Sequence, residues 1–148
     1  MSMFSAFNVS ASGLTAQRYR MDIISENVAN ANTTRTEDGT PYVRKVVTFA
    51  QKGNQTTFSK ALGNASSSYS GQGVKVEHVY RDTKTEMNKV YDPSHPDADD
   101  DGYVTYPNVN IITEMTNLID ASRAYEANST AFNASKSMAL KGLELGNQ

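Results

Sequence analysis

The stretch "NVNIITEMTNLIDASRAYEANSTAFNASKSM", residues 108–138, decides the fold. An apolar row runs through it and beyond it at seven-residue spacing, formed by Ile111, Leu118, Tyr125, Phe132 and Ala139. A neighbouring row consists of Ala124, Ala131, Met138 and Leu145. This spacing is typical of a helix that packs along other helices. It predicts a helix over 108–144, on the order of 50 Å long, with Asn108 or Asn110 as its N-cap.

The other end of the chain carries the same kind of pattern. Its apolar row is Phe7, Leu14, Met21 and Val28, and the adjoining row is Val9, Ala16 and Ile23. The pattern predicts a helix over residues 4–32, about 40 Å long, which ends in the polar stretch "SENVANANTT". Gly13 lowers helix stability by roughly 1 kcal/mol relative to Ala. Gly13 is therefore either a tolerated defect or the mark of a close helix–helix contact.

Between the two helices the sequence becomes β-rich. Segments 42–49 and 73–80 predict strands, and 85–91 is a candidate third strand. The polar stretch "SKALGNASSSYSGQG", residues 59–73, is typical of a flexible loop. Two or three short antiparallel strands are barely stable alone, so we expect this part of the chain to depend on its surroundings.

These elements predict two structural parts. Residues 1–35 and 107–148 form a terminal helical domain, and residues 36–106 form a β-rich insert. The predicted fold class is mainly α with a small β insert. Long N- and C-terminal helices lie in coiled-coil-like packing, with a short antiparallel β segment between them.

The stretch "HPDADDDGYVTYPN", residues 95–108, is similar to a calcium-binding loop. The residues at the alternating ligand positions and the glycine position of an EF-hand are Asp97, Asp99, Asp101 and Gly102. The twelfth position, which should be a bidentate Glu, is Asn108. Pro93 and Pro96 exclude the helix that enters an EF-hand. We therefore expect a solvated acidic turn over 92–102, reversed at Gly102, and not a metal site.

Histidine and cysteine form no metal-binding or catalytic motif. His78 alternates with Val76, as a strand side chain does, and His95 lies near Asp97 without a second His or Cys to complete a zinc site. The chain contains no Cys, which excludes disulfides and thiolate chemistry. Neither a nucleophile elbow nor a glycine-rich phosphate loop is present. We expect no cofactor, no metal and no enzymatic activity.

Charge and hydropathy exclude further classes of partner. The formal net charge of −2 favours neither nucleic acid nor an anionic membrane surface. No run approaches the roughly 20 apolar residues that span a bilayer. The start "MSMFSAFNVSASG" lacks the basic and apolar regions of a cleaved secretory signal. We therefore expect no nucleic-acid binding, no membrane insertion and no cleaved signal peptide.

The apolar rows of the two helices need more cover than one chain offers. Two narrow rows bury each other and leave flanking pairs such as Val9/Ile23 and Met115/Ile119 without a partner. We expect other subunits to cover them, through an assembly interface formed by Phe7, Leu14, Met21, Val28, Ile111, Met115, Leu118, Tyr125 and Phe132. The Asn residues near the helices are caps or solvated by default, although some can fix helix register through interhelical hydrogen bonds.

Both ends of the chain resemble one family. "SASGLTAQRYRMDIISENVANANTT" (10–34) is similar to the N-terminal signature of flagellar axial proteins, the rod and hook subunits, and 108–138 is similar to their C-terminal signature. Within that family, "YDPSHPDADDDGYVTYPNVN" (91–110) resembles the basal-body proximal rod proteins.

The resemblance implies a structural subunit of the proximal rod, which is part of the drive shaft of the bacterial flagellum. It implies export by the flagellar type III apparatus and terminal helices that line the export channel and order on assembly. The implied partners are the other proximal rod proteins, the basal-body adaptor subunit, the next rod segment and the export gate. The alternatives are a distal rod or hook-like subunit, a calcium-responsive binding module and a free-standing helical adaptor.

Overall fold

A computed structural model describes residues 3–52 and 72–146 of the 148-residue chain. Four short strands lie between two long helices along the chain. The order is α1 (Met3–Ala29), β1 (Lys45–Gln51), β2 (Val74–Arg81), β3 (Asn88–Tyr91), β4 (Tyr103–Tyr106) and α2 (Ile111–Gly146). The predicted fold class, mainly α with a small antiparallel β insert, is confirmed. The predicted flexible loop, 59–73, lies outside the described residues except at 72 and 73.

The two helices pack along each other in opposite directions. Three contacts set this direction, namely Asn27 with Glu114, Gly13 with Asn128, and Phe7 with Phe132. Helix α2 begins where the Oδ1 of Asn110 accepts a hydrogen bond from the backbone N–H of Thr113 at 3.1 Å, so Asn110 is the N-cap. The other cap candidate, Asn108, bonds elsewhere.

The centre of the helix pair is built mainly from small and polar residues. The buried positions are Ser10, Gly13, Ala16, Ile24 and Asn27 in α1, and Glu114, Ala121 and Ser135 in α2. A Cβ atom added to Gly13 would lie 2.5 Å from the Oδ1 of Asn128. Gly13 therefore marks a close helix–helix contact, which decides between the two interpretations of this glycine.

The strands form two separate two-stranded antiparallel sheets. In the first, β1 pairs with β2 from Lys45 opposite Arg81 to Gln51 opposite Val74, with a register shift between Thr48 and Phe49. The second sheet pairs β3 with β4 from Asn88 opposite Tyr106 to Tyr91 opposite Tyr103. Both strands of the first sheet contact α1, which gives this marginal sheet the support that it lacks alone.

The strand boundaries differ from the prediction at one informative place. The predicted strand 42–49 begins only at Lys45. The backbone N–H of Tyr42 donates to the carbonyl of Thr33 at 3.1 Å, across a turn whose Gly39 has a φ of +74°. Residues 42–44 are held by this turn and by helix side chains, so ladder pairing starts later.

The acidic turn joins β3 to β4 as a hairpin. Gly102 has a φ of +82°, which suits glycine, and a Cβ there would lie 3.0 Å from the ring of Tyr91. The rings of Tyr91 and Tyr103 meet edge to face, with centroids 5.3 Å apart. Within the described part of the chain, neither long helix is apolar enough to cross a membrane.

Candidate assembly site: a buried polar cluster and an uncovered apolar face

A buried carboxylate holds the start of α2 against the segment that leads into β1. The Glu114 side chain is 1% exposed. Its Oε1 accepts hydrogen bonds from the Nε of Arg44 at 2.9 Å and from the Nη2 of Arg44 at 2.6 Å. Its Oε2 accepts from the Nδ2 of Asn27 at 3.1 Å. Both N–H groups of Arg44 donate to the same oxygen, and such charge-assisted hydrogen bonds, together with the one from Asn27, offset the cost of burying the carboxylate.

Asn27 connects α1 to the same point. Its Oδ1 accepts from the hydroxyl of Tyr42 and from the backbone N–H of Lys45, both at 2.9 Å. Its Nδ2 donates to the carbonyl of Lys45 at 2.8 Å as well as to Glu114. The amide thus fills all four of its hydrogen-bonding positions, as a buried Asn must to avoid a desolvation penalty.

Asn108 repeats this arrangement on the other side of the same segment. Its Oδ1 accepts from the backbone N–H of Arg44 at 2.9 Å. Its Nδ2 donates to the carbonyls of Asp82 at 2.7 Å and Thr85 at 3.1 Å. Asn108, one of the two cap candidates, therefore fixes the start of α2 to the residues just before β1 and just after β2.

Two ionisable groups around the cluster, Tyr42 and Asp82, have shifted pKa values. Burial, followed by the nearby carboxylates of Glu26 and Glu114, raises the pKa of Tyr42 to about 12. Hydrogen bonds from the hydroxyl and the N–H of Thr85 lower the pKa of Asp82, and the charge of Arg44 contributes less. Asp82 also lies 3.6 Å from the Nη1 of Arg44.

The cluster is suited to joining elements and not to chemistry on a bound molecule. Hydrogen bonds within the chain occupy both carboxylate oxygens of Glu114 and both polar atoms of the Asn27 side chain. A small cavity beside it, lined among others by Arg20, Ile23 and Glu114, holds about 70 Å³. Its closely paired groups fix α1, the insert and α2 in one arrangement.

The acidic turn uses its carboxylates to hold its own backbone and the exit of α1. Asp99 accepts from the N–H groups of Asp101 at 3.1 Å and Tyr103 at 2.7 Å. Asp97 accepts from the hydroxyl of Thr34 at 2.8 Å and lies 3.6 Å from the Nη1 of Arg35. Strands, and not the helices of an EF-hand, flank the turn on both sides.

The two histidines occupy structural positions. His78 is an exposed side chain of β2, as predicted. The Nδ1 of His95 accepts from the N–H of Asp97 at 3.1 Å, and its ring contacts that of Tyr106. Among residues 3–52 and 72–146, no group of three or more His, Asp or Glu side chains is placed to hold a metal ion.

The residues predicted for the assembly interface lie beside the buried centre of the helix pair. Phe7 and Phe132 meet edge to face with ring centroids 5.1 Å apart, and Met21 and Leu118 line one shallow groove between the helices. The half-buried members of the set are Phe7, Leu14, Met21, Val28, Leu118, Tyr125 and Phe132, while Ile111 and Met115 are exposed. Their role between subunits stays a prediction.

Large apolar side chains are left uncovered on α2. The exposed ones are Ile111, Ile112, Met115, Ile119, Met138, Leu140, Leu143 and Leu145. The buried apolar side chains of the described residues are few, and three of the six are alanines: they are Ala16, Ile24, Ala31, Tyr42, Val104 and Ala121. The helix pair thus buries mainly small and polar residues at its centre, half-buries the flanking apolar rows and leaves many large apolar side chains of α2 exposed, as expected of the component of an assembly.

Comparison with known proteins agrees with this architecture. A family model described as "Flagella basal body rod protein" matches residues 7–35, within α1 and its exit. A second, "Flagellar basal body rod FlgEFG protein C-terminal", matches 100–145, which covers β4 and α2. The flagellar basal-body rod protein FlgC of Bacillus subtilis (strain 168) is 47% identical over 99% of both chains. The chain belongs to the FlgC-type flagellar basal-body rod proteins.

Further FlgC-type relatives span the same length. The protein of Borreliella burgdorferi is 46% identical over 98% of both chains, and that of Salmonella typhimurium (strain LT2) is 39% identical over 99% of both. The chain is therefore a structural subunit of the flagellar basal body, and it assembles with other rod and basal-body proteins. None of these relatives is named as an enzyme.

The polar cluster is the part of this FlgC-type chain that sequence reasoning missed. Glu114 was noticeable only as an acid in the first turn of a helix, and Asn27 only as part of a polar helix end. Their partners lie far away in the chain, at separations of 87 residues for Asn27 with Glu114 and 70 for Arg44 with Glu114. One general expectation does apply to this cluster. A buried Asn can fix the register of two helices through a hydrogen bond between them, and Asn27 of α1 donates such a bond to Glu114 of α2.

Proposed function

We propose that the chain is a subunit of the proximal rod, and that its helix pair joins neighbouring subunits to build the drive shaft and the wall of the export channel. The paired helices are the tube-forming part. The insert, anchored to them by the polar cluster, faces neighbours farther from the axis. In this arrangement each subunit is held through many helix contacts, which spreads torque along the shaft.

One observation carries this proposal. The helix pair places small and polar side chains at its centre and leaves large apolar side chains on its surface. Exposed apolar side chains at this density on one helix mark a contact surface. Membership of the rod family supports this interpretation, because a rod protein assembles with other rod and basal-body proteins, which can cover this surface.

The proposed partners follow from this position in the flagellum. They are the other proximal rod proteins, the basal-body adaptor subunit, the next rod segment and, during export, the type III export gate. The residues proposed to meet them are the apolar rows that flank the helix seam, with Leu118 in the groove beside Met21 as their centre.

Leu118→Asp tests the interface. Leu118 is half-buried in the single chain, so an aspartate there reaches water and the chain still folds. In the assembled rod the same carboxylate is buried without a partner, which costs several kcal/mol. We expect the purified variant and the purified native chain to have the same helix content by circular dichroism, and we expect the variant to be lost from isolated basal bodies and the cells to lose swimming.

The matched control is Thr130→Asp, which adds the same charge at an exposed position of the same helix. We expect this variant to enter basal bodies. Cells that swim normally with Leu118→Asp in their basal bodies would show that the groove is not an interface.

A further inference from the structure

The polar cluster holds the first sheet at one of its two ends. Asn27 bonds to the backbone of Lys45, where β1 begins, and Asn108 bonds to the carbonyl of Asp82, directly after β2. Lys45 lies opposite Arg81 in the register of the sheet, so these bonds share one end of it, which we call the cluster end. A sheet that is held only at the cluster end can still swing away from α1.

A serine of α1 contacts the opposite end of the same sheet, which we call the far end. There Gln51, the last residue of β1, lies opposite Val74, the first residue of β2. The hydroxyl oxygen of Ser12 accepts a hydrogen bond from the backbone N–H of Val74 at 3.0 Å. The same hydroxyl donates to the carbonyl of Val9 at 2.7 Å, within the helix. Ser12 therefore uses its donor for α1 and an acceptor position for β2.

The backbone at the far end lies directly against α1. A Cβ atom on Gly73 would lie 2.3 Å from the hydroxyl oxygen of Ser12 and 3.4 Å from the Cα of Val9. The carbonyl of Gly73 accepts a hydrogen bond at 2.9 Å from the N–H of Lys52, one residue beyond the end of β1. The ends of the two strands are thus bonded to each other, and the missing side chain of glycine lets them approach the helix.

The spacing of the two contacts on α1 matches the length of the sheet. From Ser12 to Asn27 the helix rises by about 22 Å, at about 1.5 Å per residue. Strand β1 has 7 residues and extends over about 20 Å, at about 3.3 Å per residue. The first sheet therefore lies along α1, with β1 running in the direction opposite to the helix, and each end of the sheet meets a hydrogen-bonding side chain of α1.

Apolar packing between the two contacts does not set the angle of the sheet. Ile23 of α1 and the β1 residues Val46 and Val47 help to line the cavity of about 70 Å³ beside the polar cluster. Contacts between apolar side chains are non-directional, whereas a hydrogen bond requires its donor and acceptor to be aligned. The hydrogen bonds at the two ends therefore determine how the sheet lies on the helix.

We propose that Ser12 is a positioning residue, which holds the far end of the first sheet on α1 and makes sheet and helix one rigid body. The insert is then fixed at two points about 20 Å apart and does not swing about the polar cluster. The inference deepens the proposed function, on which its importance for the rod rests. The angle at which the insert leaves the helix pair is set within the subunit and not by its neighbours.

Amide hydrogen exchange of the purified chain, followed by NMR, tests the role of Ser12. In Ser12→Ala we expect the amides of Val74 and Lys52, at the far end, to exchange about fivefold faster, because the net contribution of one hydrogen bond is lost. The amides of Lys45 and Asp82, which are bonded at the cluster end, should change by less than about twofold.

Two comparison variants separate positioning from a general effect on the helix. Thr15→Ala removes a hydroxyl that bonds to the carbonyl of Ala11 within α1, and all four amides should stay within about twofold of the native chain. Ser12→Thr keeps the hydroxyl oxygen and should restore slow exchange at Lys52. Alanine favours helix more than serine does, so the helix content of Ser12→Ala by circular dichroism should not fall.

The amide of Lys52 decides between the outcomes, because its partner is Gly73 and not Ser12. Unchanged exchange at Lys52 in Ser12→Ala would mean that the serine contact is incidental, and it would overturn the inference. Equal acceleration at both ends of the sheet, or unprotected Val74 and Lys52 amides in the native chain, would overturn it too. These measurements involve a single chain, so they are independent of the rod function, which Leu118→Asp tests separately.

Discussion

Glu114 shows how one residue joins three parts of this molecule. Its carboxylate receives hydrogen bonds from Asn27 in α1 and from Arg44 just before β1, while its own backbone belongs to α2. A carboxylate that is 1% exposed is tolerated only when its hydrogen bonds and its charge are matched. Removing it leaves Arg44 and Asn27 without their shared partner.

We predict that Glu114→Ala lowers the free energy of unfolding by about 3 kcal/mol, the lower part of the range for breaking a buried ion pair, since Arg44 keeps some exposure. Urea unfolding of the purified chain, followed by circular dichroism, measures this loss. Glu144→Ala removes an exposed carboxylate that is also paired, and it should change stability by less than about 0.5 kcal/mol. Equal losses in the two variants would mean that burial adds nothing at Glu114.

Sequence reasoning does not find such residues, for a physical reason. A hydrophobic side chain reveals its role through periodicity, whereas the role of Glu114 depends on partners that the fold brings from distant positions. Local patterns limited the N-cap to Asn108 or Asn110, because a cap bonds to the backbone three residues away, and the structure assigns the cap to Asn110. They did not locate Asn108, whose partners are at positions 44, 82 and 85.

At the scale of elements, the two helices were predictable and their line of contact was not. The seven-residue rows predicted both helices, with ends displaced by up to three residues. The buried centre, however, consists mainly of small and polar residues such as Gly13, Ala16 and Ala121. Helices approach closely where side chains are short, so the apolar rows that reveal a helix need not be the rows at its closest contact.

The contact of Gly13 with Asn128 yields a test of this close approach. Gly13→Ala should lower the free energy of unfolding by about 1–2 kcal/mol, because the new methyl group overlaps the Asn128 amide. In an Asn128→Ala background the same substitution should instead raise stability by up to about 1 kcal/mol, through helix propensity. A double-mutant cycle by thermal unfolding measures the difference. The same effect in both backgrounds would place the helices farther apart than described.

At the scale of the whole molecule, one polar cluster links the helix pair to a sheet that is marginal alone. The fold class followed from composition and periodicity, and so did the expectation that other subunits cover the apolar surface. The joint between helices and insert did not, because it combines the pairing of Glu114 with the distant Arg44 and side chains bonded to backbone groups of residues 44 and 45. Such contacts have no sequence periodicity.

The titration of Tyr42 reports on the integrity of this joint. Its pKa is raised to about 12 in the folded chain, so folding favours the neutral phenol. The resulting stability is complete below pH 10, the ordinary pKa, and is lost as pH rises toward 12. We predict that the free energy of unfolding falls more steeply over this interval in the native chain than in Tyr42→Phe.

Chemical unfolding at a series of pH values from 9 to about 12 measures both curves. At pH 9 the variant should be less stable by about 1 kcal/mol, for the lost hydrogen bond to Asn27. Both proteins carry the same other ionisable groups, so the difference between the two curves reports on Tyr42. Parallel curves across the interval would show that the phenol is not held in a distinct environment.

The hydrogen bonds that Asn27 and Asn108 make to residues 44 and 45 also determine which inserts this pair of helices can hold. Asn27 and Asn108 bind main-chain N–H and C=O groups there, and these groups are the same whatever side chains those positions carry. These main-chain contacts do not depend on the side chains at residues 44 and 45, whereas the pairing of Glu114 requires the guanidinium of Arg44. Inserts of different sequence can therefore be held by the same pair of helices, provided that the segment entering β1 keeps its arginine at position 44.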